Sequence, residues 1–254
     1  MNKVVFGLAM GFVISGSTHA ALVDNGNGLI YDTVTNVTWT QDANLLGTME
    51  ARNHNLISEI IAANNGIIHD SPNSDDPTGA YVLFPANGSG EFGSAAGSSD
   101  FGSNGETDWW GAQAFANYLN SIDYKGSTQW HIPITPQPQI AGYDVTQSDL
   151  GELFYNELNG VSGRSLLTTH NDNYNLFNNI QQSYYWSGEY TGYLSSGMFF
   201  DMNLGYQSAL DKRSQVFTWV VASGNVISTP IPSSIWLFGA TITGFSLSKR
   251  KRQH

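Results

Sequence analysis

Apolar residues in the last third of the chain repeat with a period of two, and the predicted fold is built around them. In Ser183–Tyr184–Tyr185–Trp186–Ser187, an extended backbone sends Tyr184 and Trp186 to one face and Tyr185 to the other. Met198 to Met202 and Tyr206 to Ala209 flank Asn203–Leu204–Gly205, a spacing that predicts a β-hairpin. From Val216 to Val221 apolar residues occupy both faces, which predicts one central strand. Earlier, Leu29–Tyr31 and Val37–Trp39 read as short strands after the turn Asp24–Asn25–Gly26–Asn27–Gly28. Trp130–His131–Ile132–Pro133 is a short strand ended by its proline.

Three stretches change to helical spacing. Leu56, Ile57, Ile60 and Ile61 share one face, with Thr48 as the predicted N-cap. Ala112, Phe115, Ala116 and Leu119 form a second face, with Thr107 as its cap. A third helix covers residues 149–158, with Leu150, Leu153, Phe154 and Leu158 inward and Gly160 as its stop. Residues 71–105 are rich in Gly, Ser, Asn and Asp, interrupted by Tyr81–Val82–Leu83–Phe84. They read as a long insertion, ordered near that tetrad and mobile elsewhere. The pattern predicts a single α+β domain over residues 21–228, with a mixed, largely antiparallel sheet and two or three helices.

Both ends differ from this body. Met1 to Ala20 has an early Lys3, an apolar run from Val4 to Ile14 and small residues at Thr18–His19–Ala20, the pattern of a secretory signal peptide. Residues 229–254 hold Pro230–Ile231–Pro232, a short apolar segment at about 231–248, and the cluster Lys249, Arg250, Lys251 and Arg252. The uncharged run Ile235–Leu247 is shorter than the roughly 20 residues a bilayer asks for, and the bases after it favour a cytoplasmic C-terminus.

Charge narrows the partners. Between residues 21 and 230 only Arg52, Lys125, Arg164, Lys212 and Arg213 oppose all 21 acids. The resulting net charge of −16 repels nucleic acid and anionic headgroups and favours cations. With no cysteine, disulfides, thiolate chemistry and Cys-zinc sites are excluded.

Candidate chemistry is sparse. Asp24, Asn27 and Asp32 place oxygens at short spacing that could hold calcium. The stretch lacks the Asp-x-Asp-x-Asp-Gly register and closing Glu, which favours a plain turn. Asp70, Asp75 and Asp76 read as solvated loop acids. His54, His69, His131 and His170 fall in no metal-ligand spacing, and His131 reads as a hydrogen-bonded core residue. No serine elbow is present, and carboxylates are too many for their pairing to mean anything. Trp109, Trp110 and Tyr185 are candidate contacts for a sugar or protein ligand, against the plainer reading that aromatics in such elements are core.

Two resemblances add to this. Pro230–Ile231–Pro232, Trp236–Leu237–Phe238–Gly239 and Lys249–Arg252 resemble a PEP-CTERM sorting signal in its Pro-Ile-Pro variant. That resemblance implies processing of an exported chain by a membrane exosortase. The body resembles the Lcl C-terminal domain family, related to C-type-lectin-like folds. The match rests on Asp24–Gly28, Thr38–Trp39, Gln41–Asn44, Trp109–Asn120, Trp130–Pro133, Tyr184–Ser187, Asp201, Gly205–Tyr206 and Lys212. His131 stands where the family usually has Arg. The resemblance implies a lectin-like fold and no particular reaction. The expected protein is therefore an exported, non-catalytic surface or matrix protein that binds glycan or protein through loops. The alternatives are an enzyme on a sulfatase-modifying-like scaffold and a purely structural matrix component.

Overall fold

The computed structural model describes residues 22–71, 77–85 and 99–227. The predicted signal peptide, the proline-led sorting tail with its apolar segment, and parts of the Gly/Ser-rich stretch, including Asp75 and Asp76, lie outside the described residues.

The chain opens as an antiparallel meander of β1 (Leu22–Gly26), β2 (Leu29–Asp32) and β3 (Val37–Thr40). Its first turn passes through the left-handed region at Asn27 (φ 55°) and Gly28 (φ 83°), which Asn and Gly tolerate. Helices α1 (Leu45–Arg52) and α2 (Leu56–Ala63) follow, then the ribbon of β4 (Ile67–His69) and β5 (Ala80–Val82). Next come β6 (Glu106–Thr107), the helix α3 (Trp109–Ser121) and β7 (Trp130–His131). Helix α4 (Asp149–Glu152) widens into a π turn over Leu153–Glu157, and α5 (Leu166–Thr169) is a single turn. The last elements are β8 (Tyr184–Glu189), β9 (Ser196–Asp201), β10 (Gln207–Asp211), β11 (Val216–Phe217) and β12 (Val221–Ser223).

These strands form two five-stranded sheets. One runs β1-β2-β3-β12-β7 and is antiparallel throughout. The other runs β10-β9-β8-β11-β6, with one parallel pair between β8 and β11. The fold is α+β with mostly antiparallel sheets and a few helices, as the pattern predicts. Among the described residues no helix is long and apolar enough to cross a membrane.

Alternate strand residues feed two separate cores. Leu29, Trp186, Val216, Val220 and Ala222 join a cluster with α1, α2 and α3. Ile30, Trp39, Tyr185, Phe200, Phe217, Trp219 and Val221 join another with α4, the π turn and α5. The sheets thus act as one layer with helices on both sides, and period-two burial on two apolar faces is what such a layer requires. Trp39, Trp130, Trp186 and Trp219 are all buried, and each of the last three donates its indole N–H to a backbone carbonyl.

The structure corrects several local expectations. Val216 to Val221 is not one strand: β11 belongs to one sheet and β12 to the other, and residues 218–220 carry the chain across. Two-faced burial fits a crossing segment as well as a central strand. Trp219 anchors the crossing, with its ring 5.0 Å from that of Trp39 and its Nε1–H donating to the Thr40 carbonyl at 2.8 Å.

Thr48 caps nothing. The helical stretch breaks at Asn53–Asn55, and α1 is capped by Asn44, which accepts from the Gly47 N–H. Nor does Thr107 cap α3. Asp108 does so, accepting from the Gly111 N–H at 2.8 Å, while the Thr107 hydroxyl is buried against that of Thr218. In both places a neighbouring Asn or Asp wins, because its side chain reaches the free N–H groups at the helix start. The Gly/Ser-rich stretch also rejoins the core before its predicted end, since Asp100 and Phe101 are buried.

Candidate functional site

A cleft of about 390 Å³ opens between α3, the end of β7 and the end of β8. Asn120 fixes its back wall by clamping α3 to β7: its side chain donates to the Trp130 carbonyl at 2.9 Å and accepts from the Trp130 N–H at 2.6 Å. Pro133 ends β7 and starts the opposite wall, where the Thr135 hydroxyl bonds to both oxygens of Ser187. Gly188 permits that approach. It sits at φ 100°, where a Cβ would be strained and would come within 3.0 Å of the Thr135 nitrogen. The β8–β9 register slips between Trp186 and Glu189, and this bulge places Glu189 in the cleft lining.

Beneath the cleft lies a buried charge network. The ammonium of Lys212, wholly buried, is 2.7 Å from Asp70 Oδ2 and 3.6 Å from Glu189 Oε1. The same Asp70 oxygen accepts from Trp109 Nε1 at 3.0 Å, and Lys212 Nζ lies 5.4 Å from the centre of the Trp109 ring. Asp70 is therefore not the solvated loop acid that its Asn/Asp/Ser surroundings suggest. It is needed because an unpaired buried ammonium is costly.

The rest of the lining is amide and aromatic. Gln113, Asn117, Gln137 and Gln139 contribute amides, and Trp109 and Trp130 are the aromatic residues. His131 also lines the cleft. Its Nδ1 is 2.9 Å from the Ile132 carbonyl, which can only accept, so Nδ1 donates there, and Nε2 is paired with the Ser223 hydroxyl at 3.1 Å. Both nitrogens are occupied, so His131 is hydrogen-bonded as expected, although it is only half-buried. Behind the wall, Asp149 Oδ2 accepts from the Ile134 N–H at 2.7 Å. Burial pushes its carboxyl up to about 6, against the lowering effects of that bond and of His131.

Of the candidate ligand contacts, Trp109 reaches the cleft, while Trp110 and Tyr185 do not. Both are wholly buried: Trp110 stacks on Tyr81 at 3.8 Å, and the Tyr185 hydroxyl accepts from the Gln181 N–H. Of the calcium candidates, Asp24 accepts from the Gly26 N–H, and Asp32 accepts from the N–H groups of Val34 and Thr35 and from the Thr35 hydroxyl. Those carboxylates close turns. Asn27 lines a separate polar cleft with Asp42, Arg52 and Lys125. Among the described residues no group of three or more His, Asp or Glu is placed to hold a metal ion. His54 and His69 are exposed, and His170 stacks on Tyr174 at 4.2 Å.

Sequence reasoning passed over Glu189, Gln113 and Asn117, which carry no local signature, and treated Lys212 only as part of a family pattern. Scarcity was the usable signal for Lys212: in a body with five bases, a lysine that closes an apolar hairpin invites a search for its acid.

No protein-family model, curated protein or solved structure matches this chain.

Proposed function

We propose that this protein is an exported, non-catalytic surface or matrix protein that binds glycan through the cleft between α3, β7 and β8. The observation that carries the reading is the lining of that cleft: four amides and two tryptophans around one carboxylate, in a volume suited to a few sugar rings. Amides pair with hydroxyl groups in both directions, and aromatic surface packs against the apolar faces of sugars. A lectin-like character for the α+β fold and membership of the Lcl C-terminal family belong to the same proposal, on the residues quoted above. So do passage through the export machinery under the leader and processing by an exosortase at Pro230–Ile231–Pro232 after a brief membrane stage. Non-catalytic binding is favoured because His131 has both ring nitrogens engaged and Asp149 lies behind the wall.

The test is a glycan array probed with the mature domain, with calcium and with chelator. Binding that Gln113→Ala and Asn117→Ala together abolish supports the reading; binding that survives them removes the cleft from it. Intact mass of the natural protein tests export and sorting, since a species running from Met1 to His254 ends both.

A further inference from the structure

The chemistry of the cleft lining selects among glycans, and this inference rests on the glycan reading above. Two carboxylates, Asp70 and Glu189, share the single ammonium of Lys212. Asp70 takes the close contact at 2.7 Å and completes the buried pair; Glu189 is held at 3.6 Å, with its side chain 35% exposed and in the cleft lining. One negative charge is therefore left at the cleft, and among the described residues no Lys or Arg lines it to answer that charge. His131 is engaged through both nitrogens, by the Ile132 carbonyl and the Ser223 hydroxyl.

Two of the four lining amides lean the same way, while Gln139 is engaged at both ends and Gln113 keeps an unpartnered amide nitrogen. Asn117 gives its amide nitrogen to Asn64 Oδ1 at 3.0 Å, and Gln137 gives its own to Thr191 Oγ1 at 2.9 Å. Both keep a carbonyl oxygen for a ligand. The cleft is thus rich in acceptors and negatively charged, which suits a ligand rich in donors and positively charged. We infer that the cleft takes an amino sugar with a free amine, the ammonium meeting Glu189 and the hydroxyls meeting Asn117 and Gln137. The buried Lys212–Asp70 pair acts as the positioning device, because it holds the Glu189 carboxylate beside Trp109 without supplying a cation of its own to the cleft.

Calorimetry would compare four probes at a mildly acidic pH, where sugar amines are protonated and ordinary carboxyls ionised. They are a β-linked glucosamine tetramer with free amines, its N-acetylated counterpart, a uronic acid tetramer, and Nα-acetyl-lysine amide. The amine tetramer is expected to bind about tenfold or more tighter than the N-acetylated one, the worth of one charge-assisted hydrogen bond. The uronate should not bind. Glu189→Gln should remove the preference while the far-UV spectrum and melting midpoint stay as in the wild type. Should that variant misfold, salt titration of the wild type decides instead: affinity for the amine tetramer must fall as ionic strength rises. Equal binding of the two glucosamine tetramers, or indifference to salt, overturns the inference and leaves glycan binding standing. Tighter binding of the lysine amide overturns the saccharide as source of the amine. Failure of every tetramer sinks the glycan reading and the inference with it.

Discussion

On the α3 side of the sheet layer, the buried ammonium of Lys212 meets Asp70 at 2.7 Å and Glu189 at 3.6 Å. On the α4 side, the Glu157 carboxyl is 1% exposed and neither of its oxygens has a hydrogen-bond partner among the described residues. Lys212 meets its acids by pairing, whereas Glu157 has no cation among the described residues and its carboxyl is raised. Burial, then the charges of Asp32 and Glu152, push the Glu157 carboxyl up to about 7. Asp108 is handled as Glu157 is, although it lies on the α3 side. Burial and the charge of Asp100 hold its carboxyl well above the usual range, while its Oδ1 caps α3. A chain with five bases in its body cannot pair every buried acid. The wholly buried ammonium of Lys212 sits beneath the cleft, paired with Asp70 and near the Glu189 that lines it.

The largest effects should fall on both sides alike. Trp186→Ala on the α3 side and Trp219→Ala on the α4 side each remove a fully buried ring. Each should cost about 3–5 kcal/mol by denaturant unfolding, a large part of a typical stability of roughly 5–15 kcal/mol. If one variant unfolds like the wild type, its cluster is not part of the cooperative core. Lys212→Met comes next and concerns the α3 side alone, because it strands Asp70 under the cleft. A loss of about 3–5 kcal/mol is expected, with most of it recovered in Lys212→Met/Asp70→Asn, which removes both charges. No recovery would mean that the pair acts through packing rather than charge.

The α4 side should answer to pH. A carboxyl raised in the folded state binds its proton more tightly than in the unfolded chain. Its contribution is therefore fully present below the ordinary Glu value and is lost as pH rises through about 7. Asp149 adds the same trend through about 6. Between pH 4.5 and 7.5, roughly spanning these values, the wild type should lose on the order of 2 kcal/mol that Glu157→Gln retains. Parallel stability curves for the two proteins would show that Glu157 is solvated. The smallest change belongs to Glu189→Gln: because Asp70 keeps the close contact with Lys212 and Glu189 is partly exposed, stability should move by less than about 1 kcal/mol.

Much of the layer was legible in the sequence, because burial leaves a periodic trace. Tyr185 and Trp186 part to opposite clusters as alternation requires, and Leu150, Leu153, Phe154 and Leu158 all turn inward despite the π turn among them. What escaped was set by contacts distant in sequence. Nothing around Val216–Val221 tells a strand within one sheet from a segment shared by two. Asp70 looks like any loop acid until Lys212, 142 positions later, is folded onto it. The cleft was the least legible feature, since Glu189 owes its place to a register slip that no residue type announces. Aromatic composition drew attention to Trp110 and Tyr185, which packing then claimed for the core.

The crossing of residues 216–223 sets an order on synthesis. Strand β12 stands between β3 and β7, and β11 between β8 and β6, so neither sheet can close until this late segment has been made. Thr38 waits for Gly224, 186 positions downstream, before its hydroxyl finds its acceptor. Contacts of that span form slowly, because a long loop must close before they return anything. A nascent chain emerging without its last stretch therefore holds strands with open edges and no complete layer. For a chain that must thread a narrow membrane channel before folding, as proposed here, that delay is useful. It withholds the folded form until nearly all of the domain has been delivered.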